Sequence, residues 1–237
     1  MNNYLILGAT YEGGIILEQV NIEETLREEE NENKNKRTSY DITKRGIDFI
    51  CSFLGLLILL PILLIVGLVI ILDSKGPVIF KQERVGFRGK KFYMYKFRSM
   101  VVNAEKLKDK LQKDNEMSGP MFKMKKDPRI TRVGKFIRKT SIDELPQLFN
   151  VLKGEMSLVG PRPSLPKEVM KFEPWMLKRL EVKPGLTCYW QVSGRSSIGF
   201  EEWMKLDCEY VKDRSTLVDL KLIFKTFFVL FGDEDAC

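Results

Sequence analysis

The sequence contains an uncharged run of 24 residues, FICSFLGLLILLPILLIVGLVIIL, at positions 49–72. A helix of about 20 apolar residues is long enough to cross the hydrocarbon core of a bilayer, so this run predicts a membrane helix. The run is not a cleavable signal peptide, because it begins far from the amino terminus and no small-residue cleavage site follows it. The alternative is a helix buried in a soluble core, although a domain of this size rarely contains a helix that is apolar on every face.

Pro61 and the charges at both ends of the run bear on how this helix sits in a membrane. A proline in the middle of a helix removes one backbone hydrogen bond and kinks the helix. Lys44 and Arg45 precede the run and Lys75 and Lys81 follow it, whereas a simple spanning helix has excess Lys and Arg on its cytoplasmic side only. The pattern therefore favours a kinked, re-entrant helix that enters the cytoplasmic leaflet and returns, with a full span as the alternative.

The overall composition excludes several kinds of chemistry. The 237 residues include no histidine, which rules out Ser-His and Cys-His nucleophile pairs and histidine-ligated zinc or haem. Four cysteines, at positions 51, 188, 208 and 237, are too scattered for a disulfide framework or a C-x-x-C metal site. Carboxylates, lysines, arginines, tyrosines and hydroxyl groups remain available for catalysis.

The positive charge is concentrated in the main body of the chain. The whole sequence has 39 Lys and Arg against 32 Asp and Glu, and a net charge of +7. Residues 41–237 contain 35 of the basic and 24 of the acidic residues, a net charge of +11. Such a body beside a membrane segment can bind anionic lipid head groups, a nucleic acid or a phosphorylated substrate. A nucleic acid is disfavoured, because an RNP-type pattern of glycine and phenylalanine is missing.

Two adjacent carboxylates, Asp143 and Glu144, follow a basic cluster in the segment RKTSIDELPQL at positions 138–148. The spacing permits a structural interpretation, in which Ser141 and Glu144 form a capping box, or Asp143 is the N-cap of a helix with Pro146 in its first turn. A helix amino terminus is also a good anion site, so phosphates, a divalent metal and a nucleophilic carboxylate could meet there.

Arg162 lies between two prolines in the segment MSLVGPRP at positions 156–163. A rigid loop leaves an arginine less freedom to lose when its guanidinium forks onto a phosphate, so Arg162 is a candidate phosphate ligand. A polar surface turn is the alternative interpretation of the same residues.

Several ordered segments along the chain match one known family. In chain order they are KRGID at 44–48, GPVIFKQERVG at 76–86, KFRSM at 96–100, RVGKFIRKTSIDELPQ at 132–147, GEMSLVGPRP at 154–163, KPGLT at 183–187, WQVSGR at 190–195, LDCEYV at 206–211 and DLK at 219–221. Over residues 41–231 the chain thereby resembles the bacterial sugar transferase family, also called monotopic phosphoglycosyl transferases. A chance match would not reproduce so many blocks in one order.

The resemblance implies an α+β fold: a small mixed globular domain with a Pro-broken re-entrant membrane helix and interfacial amphipathic helices. It implies transfer of a sugar-1-phosphate from a UDP-sugar to polyprenyl (undecaprenyl) phosphate, with release of UMP. The implied mechanism is ping-pong, through a covalent aspartyl phosphosugar, and the product starts a polysaccharide or glycoconjugate. The implied location is the cytoplasmic (inner) membrane, with the catalytic domain facing the cytoplasm.

The matched motifs also imply the site residues. Asp143 is expected to be the nucleophile, and Glu144, with Asp143 beside it, is expected to hold Mg²⁺. Phosphate or substrate binding is expected from basic residues of the matched segments, namely Arg162, Arg138, Arg84, Lys96, Arg98 and Arg195. The donor diphosphate is anionic, so a metal ion and arginines must offset its repulsion with the attacking carboxylate.

The expected organisation has four parts: an N-terminal extension at residues 1–40, a membrane anchor at 41–74, a catalytic domain at 75–231 and a tail at 232–237. Residues 217–231 are apolar but too short to span a membrane, and predict a helix on the core or in the interface. Expected partners are the UDP-sugar, polyprenyl phosphate and membrane lipids, with no nucleic acid; a homo-oligomer is left open. The competing hypothesis is a non-enzymatic adaptor that recruits anionic partners through its basic surface.

Overall fold

The computed structural model describes residues 15–104, 106–107, 124, 127–194 and 198–232. The chain divides into two units, residues 1–43 and residues 44–237. Within the described residues, helices are combined with one antiparallel and one parallel sheet of two strands each. The predicted α+β class is therefore confirmed. Two sequence predictions fall outside the described part: Arg195 as a phosphate ligand, and residues 233–237 of the predicted tail.

Helices and strands follow one another in a mixed order. The helices are α1 (Ile15–Asp73), α2 (Arg132–Lys139), α3 (Gln147–Lys153), α4 (Pro166–Val169), α5 (Tyr189–Val192), α6 (Phe200–Asp213) and α7 (Thr216–Gly232). The strands are β1 (Ile79–Val85), β2 (Lys91–Phe97), β3 (Ser157–Val159) and β4 (Gly185–Thr187). Short 3-10 helices occupy Phe87–Gly89, Ile142–Glu144 and Pro174–Glu181.

The apolar run lies within α1, and Pro61 is inside that helix. The part Ser39–Asp73 is long and apolar enough to cross a membrane, with a mean hydropathy of 3.3. Only 11% of its most apolar window is buried in the protein, so the alternative of a helix buried in a soluble core is wrong. An exposed apolar surface of this size is consistent with membrane association; its large side chains are Phe49, Ile50, Phe53, Leu54, Leu57, Ile58, Leu60, Ile62, Leu64, Ile65, Leu68, Val69, Ile71 and Leu72.

The remaining face of the helix from residue 44 onward packs against other elements of the second unit. Its buried and half-buried residues include a set that recurs every three or four positions, as one face of a helix requires: Asp48, Ser52, Gly55, Leu59, Leu63, Val66 and Ile70. Leu63, Val66 and Ile70 belong to a hydrophobic cluster with Phe97 of β2 and Ile137 of α2. The apolar run is therefore attached along its length to the unit that contains the predicted catalytic residues.

Polar contacts hold the start of the apolar run on the globular part. Asp48 accepts hydrogen bonds from the Ser157 hydroxyl at 3.0 Å and from the Leu158 main-chain N–H at 2.9 Å. Lys44 Nζ lies 2.6 Å from Asp219 Oδ2 on α7. Hydrogen bonds that involve a charged group contribute roughly 1.5–3 kcal/mol each. These contacts join α1, β3 and α7 where the run begins.

Arg98 holds the other end of the apolar run. Its guanidinium donates to the Ser74 carbonyl at 2.6 Å and to the Ile70 carbonyl at 3.3 Å, and also to the Lys75 carbonyl. The last carbonyl groups of an α-helix have no partner within the helix and carry partial negative charge, so a guanidinium there stabilises the helix end. The structure thus places Arg98, a predicted phosphate ligand, on the carboxyl end of α1.

The hairpin of β1 and β2 positions the helix that follows the predicted catalytic pair. The two strands pair antiparallel, with Ile79 opposite Phe97. The Asn150 side chain of α3 accepts from the Tyr95 main-chain N–H at 3.0 Å and donates to the Tyr93 carbonyl at 2.8 Å. Asn150 therefore continues the hydrogen bonding of β2 and docks α3 on that strand.

Gly134 in α2 is required by a close approach to the main chain of residue 99. A Cβ atom at Gly134 would lie 2.0 Å from the Ser99 carbonyl oxygen. We therefore expect Gly134→Ala to destabilise the fold by about 1–3 kcal/mol, although alanine is the better helix former. Thermal unfolding of the detergent-solubilised protein measures the effect.

The matched control is Gly46→Ala in α1, where nothing lies within 4 Å of such a Cβ atom. This change is expected to be neutral or to stabilise by up to about 1 kcal/mol, because alanine loses less backbone freedom on folding. Equal unfolding temperatures for the two variants would contradict the packing of α2 against residue 99.

Candidate active site

The predicted catalytic segment makes a tight turn between α2 and α3. Ser141 has a left-handed backbone conformation with φ of 54°, and the 3-10 helix Ile142–Glu144 follows it. A non-glycine residue in this region is strained, and such residues cluster at functional sites. The Ser141 side chain makes no capping hydrogen bond and the N-cap of α3 is Pro146. The capping box of Ser141 with Glu144 and the interpretation of Asp143 as an N-cap are therefore wrong, although Ser141 occupies the N-cap position of the 3-10 helix.

Glu144 is the point where three separate segments of the chain meet. Lys96 Nζ of β2 lies 2.6 Å from Glu144 Oε1, and Arg162 Nη1, in the loop after β3, lies 3.4 Å from the same oxygen. The side chains of Lys96, Glu144 and Arg162 are 15%, 28% and 31% exposed, respectively. The group is therefore half-buried, and part of each side chain remains exposed to solvent.

Asp143, next to this group, is itself buried, with 7% of its surface exposed. Burial raises the pKa of the Asp143 carboxyl above its ordinary value, and the adjacent Glu144 charge adds to the rise. The charges of Lys96, Arg138 and Arg162 oppose it. The fold thus brings a desolvated carboxylate within the field of several cations.

Glu144 has the opposite balance of forces. Burial alone would raise its pKa, but the charges of Lys96 and Arg162 outweigh burial and hold the pKa of Glu144 at about 2. Burial lowers the pKa of the Lys96 amine. The surroundings therefore push the pKa values of the two neighbouring carboxylates in opposite directions, which is typical of sites where two like groups have different roles.

Arg138 completes what we call the charged cluster: Asp143, Glu144, Lys96, Arg138 and Arg162. Arg138 lies in the last turn of α2 and is exposed, yet its charge lowers the pKa of Asp143. The three cations of the charged cluster outnumber its two carboxylates. Such a centre suits an anionic ligand with more than one charge, and guanidinium groups match the geometry of phosphate oxygens.

The other predicted phosphate ligands are not brought into the charged cluster within the described residues. Arg84 is buried and donates to the Pro163 carbonyl at 2.9 Å, so it contacts the main chain of the loop that carries Arg162. Arg98 binds carbonyl groups at the end of α1, as described above. Arg195 lies outside the described residues.

Sequence reasoning missed a buried ion pair beside the Arg162 loop. Arg179 Nη2 lies 2.6 Å from Asp207 Oδ2 and donates to the Arg162 carbonyl at 2.7 Å. The side chains of Arg179 and Asp207 are 1% and 0% exposed. Asp207 stands in one of the matched segments, but 28 residues separate it from Arg179, and no spacing rule pairs residues across that distance.

The charged cluster offers oxygen ligands to a divalent cation. Within the described part of the chain, no group of three or more His, Cys, Asp or Glu residues is placed to hold a metal ion. Asp143 and Glu144 supply two carboxylates, and Mg²⁺ is commonly bound by one or two carboxylates together with substrate phosphates and water. The donor set therefore fits Mg²⁺ bound together with a phosphorylated ligand.

Curated proteins similar to this chain include several sugar transferases. The chain is 50% identical over 195 residues to the galactosyl transferase CpsE of Streptococcus agalactiae serotype III, covering 81% of this chain and 43% of that protein. It is 43% identical over 209 residues to the undecaprenyl-phosphate galactose phosphotransferase of Salmonella typhimurium, covering 86% of this chain and 44% of that protein. It is 38% identical over 190 residues to the exopolysaccharide production protein ExoY of Sinorhizobium fredii, covering 78% of this chain and 84% of that protein.

The chain thus spans less than half the length of the first two relatives and most of the length of the third. The sequence profile described as "Bacterial sugar transferase" matches residues 39–233, a range that includes the apolar run and the whole charged cluster. The family predicted from the ordered motifs is confirmed. This chain belongs to the bacterial sugar transferase family.

Proposed function

We propose that this protein is a phosphoglycosyl transferase that moves a sugar-1-phosphate from a UDP-sugar to polyprenyl phosphate and releases UMP. The lipid-linked product then starts a polysaccharide or glycoconjugate. The observation that carries the proposal is the buried Asp143 beside a Glu144 that is held by Lys96 and Arg162. Family membership and the activity named for the Salmonella typhimurium relative support the same reaction.

The cations of the charged cluster make an attack by one anion on another feasible. Two like unit charges 4 Å apart repel by roughly 4 kcal/mol at an effective dielectric constant of about 20. Lys96, Arg138 and Arg162 supply the positive charge that offsets this repulsion. The contact of 3.4 Å between Arg162 and Glu144 is long for a hydrogen bond, so the guanidinium can turn to a phosphate at little cost.

Asp143 is the nucleophile of the proposed first step. One oxygen of its carboxylate attacks the phosphorus that bears the sugar, and the bond between that phosphorus and the bridging oxygen of the diphosphate breaks. The electron pair stays on the bridging oxygen, UMP leaves as an anion, and no proton is transferred. The burial of Asp143 helps to exclude water that would hydrolyse the aspartyl phosphosugar.

Polyprenyl phosphate is the nucleophile of the second step. One of its phosphate oxygens attacks the same phosphorus, and the bond from phosphorus to the Asp143 oxygen breaks, which regenerates the carboxylate. The lipid phosphate is already ionised at neutral pH, so this step requires no strong general base. That agrees with a chain that contains no histidine. Because UMP leaves before the acceptor reacts, the kinetics are ping-pong.

Mg²⁺ is the proposed cofactor, with Glu144 and Asp143 as its protein ligands. When bound, it stabilises the negative charge that develops on the transferred phosphoryl group. Glu144 suits this role because a pKa of about 2 keeps its carboxylate ionised at neutral pH. Lys96, 2.6 Å from Glu144 Oε1, orients that carboxylate.

The proposed anchor, residues 41–74, enters and leaves the membrane by the same face. Lys44, before the apolar run, binds Asp219, and Arg98 binds the Ser74 carbonyl after the run. The helix between these two contacts has about 30 residues and would be roughly 45 Å long if straight. The hydrocarbon core is about 30 Å thick, so a spanning helix would put its two ends on opposite faces of the membrane. One folded unit that binds both ends supports a re-entrant helix instead, with its kink expected at Pro61, and the positive flanks favour the cytoplasmic face.

The contacts of the 3-10 helix support an active site close to the lipid. Ile142, the residue before Asp143, packs in the same hydrophobic cluster as Leu63, Val66 and Ile70 of the apolar run. The head group of polyprenyl phosphate stays in the membrane interface because it is charged. Asp143 lies in the proposed catalytic domain, residues 75–231, and its neighbour Ile142 packs against the anchor. Asp143 is therefore well placed to reach that head group.

The second membrane contact of the proposal is the interfacial helix α7. Its 17 residues are fewer than the about 20 needed to span. Leu222 is buried in a cluster with Tyr210 and Val159, whereas other large apolar side chains of α7 are exposed, namely Leu217, Leu220, Phe224 and Phe228. A helix that exposes such a surface is stable in the membrane interface.

Asp143→Asn is expected to abolish both UMP release and the covalent phosphosugar adduct, because an amide is not a nucleophile. The assay uses a donor labelled in the sugar phosphate, first UDP-galactose, then UDP-glucose and their 2-acetamido counterparts, and detects label on the protein after rapid denaturation. The exposed Asp213→Asn is the matched control and is expected to keep wild-type activity. Full activity of Asp143→Asn would refute the assignment of Asp143 as the nucleophile. A non-enzymatic adaptor would instead bind anionic vesicles in a salt-sensitive way, with the same affinity in Asp143→Asn as in the wild type.

Removal of divalent metal is expected to stop turnover, and added Mg²⁺ is expected to restore it. Glu144→Gln is expected to raise the Mg²⁺ concentration for half-maximal UMP release by at least about 10-fold, because loss of even an outer-shell partner costs that much in metal affinity and a neutral amide binds the ion more weakly than a carboxylate. Glu202→Gln, at an exposed position of α6, is the control. Undiminished turnover in excess chelator would show that the role given to Glu144 is wrong.

Cysteines placed at both ends of the anchor test its topology. In a background without native cysteines, Gly46→Cys and Lys75→Cys are both expected to react with an impermeant thiol reagent in inside-out vesicles and not in intact cells. Asp213→Cys, in the catalytic unit, marks the cytoplasmic side. Labelling of positions 46 and 75 from opposite sides would establish a spanning helix instead.

A further inference from the structure

The loop that carries Arg162 is held by its main-chain carbonyl groups. The Pro161 carbonyl accepts from the Gly185 N–H at 3.0 Å and the Ser164 carbonyl accepts from the Val85 N–H at 2.9 Å. The two carbonyls between them are bound by arginines: Arg162 O accepts from Arg179 at 2.7 Å and Pro163 O accepts from Arg84 at 2.9 Å. Four consecutive carbonyl groups are therefore fixed in a loop whose arginine side chain points into the charged cluster.

Arg179 is the most constrained of these partners. It is 2% exposed, and it donates to the Ser164 hydroxyl as well as to the Arg162 carbonyl. Its guanidinium carbon lies 5.6 Å from the Phe172 ring centroid and 5.8 Å from that of Trp203. Cation–π contacts of this kind hold a guanidinium plane in one orientation.

Asp207 binds the same guanidinium nitrogen that donates to the Arg162 carbonyl. Its Oδ2 lies 2.6 Å from Arg179 Nη2, and its side chain is fully buried in α6. A buried ion pair is weak grounds for stability, because the desolvation of both charges offsets much of their attraction. A pair of this kind is better explained by the orientation that it imposes on its side chains. Here Asp207 orients the Arg179 guanidinium, which in turn holds the Arg162 carbonyl.

We propose, on the basis of the function proposed above, that Arg179 and Asp207 are positioning residues that set the reach of the Arg162 side chain. Arg179 contacts the main-chain carbonyl of Arg162 and Asp207 contacts Arg179, so both act on the Arg162 side chain through the main chain of the loop. Arg162 Nη1 is 3.4 Å from Glu144, at the outer limit of hydrogen bonding. A shift of the loop by about 1 Å decides whether the guanidinium reaches a phosphate, and displacements of that size change rates on the order of 100-fold.

Substitution of Arg179 or Asp207 is therefore expected to change the rate of aspartyl phosphosugar formation without changing the fraction of competent active sites. Arg179→Lys retains a charge but cannot donate to Ser164, Arg162 and Asp207 in the same fork. Asp207→Asn keeps the shape of the side chain and removes its charge. Both variants are expected to slow formation of the aspartyl phosphosugar by about 10–100-fold, while the amplitude of the UMP burst, which counts competent active sites, stays at the wild-type level.

The test is a double-mutant cycle with Arg162→Ala, followed by single-turnover UMP release from UDP-galactose, with UDP-glucose and the 2-acetamido donors as alternatives. If Arg179 and Asp207 act through Arg162, their substitution has no further effect on the rate constant once Arg162 is alanine. Met204→Ala, a buried change in α6 within the hydrophobic cluster of Met176, Ile198 and Trp203, is the control. It is expected to lower the burst amplitude or the unfolding temperature and to leave the rate constant unchanged.

Two results would overturn the proposal. One is an amplitude that falls while the rate constant is unchanged in Arg179→Lys and Asp207→Asn, which would make the pair a stabilising contact only. The other is an equal slowing in the presence and absence of the Arg162 side chain. A wild-type protein that releases no UMP from any of these donors would instead refute the proposed function, and this inference with it.

Discussion

The sharing of the Glu144 carboxylate between Lys96 and Arg162 is the interaction on which the candidate site depends. Asp143 and Glu144 are adjacent in sequence; Asp143 is buried and Glu144 is half-buried. Their negative charges would therefore repel strongly without nearby cations. Those cations come from residues 48 positions before and 18 positions after Glu144. A strand, a 3-10 helix and a loop must therefore converge on one carboxylate, and the rest of the unit can be understood as what holds these three segments in place.

Buried arginine and asparagine side chains do much of this holding by binding main-chain carbonyl groups. Arg84 and Arg179 bind the Arg162 loop, Arg98 binds the end of α1, and Asn150 docks α3 on β2. The described residues contain four small hydrophobic clusters in place of one large core. Polar contacts that are satisfied only in one arrangement can specify a structure that such small clusters would leave loosely defined.

The anchor and the chemistry are joined through the same framework. The cluster that contains Ile70 of the apolar run also contains Ile142, so the residue next to the proposed nucleophile packs against the apolar helix. At the other end of the run, Asp48 binds β3, which leads directly into the Arg162 loop. The proposed acceptor needs its head group at the protein's reacting atoms, and this arrangement connects the charged cluster to the helix that is proposed to contact lipid.

The apolar helix, the α+β class and the family were correctly predicted from the sequence, and Asp143, Glu144 and Arg162 were proposed from it as site residues. These predictions rest on local features: a long uncharged run, short ordered motifs and adjacent acids. The sequence predicted one common role for the basic residues of the motifs. Only the tertiary structure separated Lys96, Arg138 and Arg162, which surround the carboxylates, from Arg84 and Arg98, which bind main-chain carbonyls. The capping box considered for Ser141 and Glu144 was wrong, since the Ser141 side chain makes no capping hydrogen bond and the Glu144 carboxylate pairs with Lys96 and Arg162. The pairing of Arg179 with Asp207 was hidden for the same physical reason: the partner of a charged side chain is chosen by proximity in space, and a sequence motif records the residue but not what the fold brings beside it.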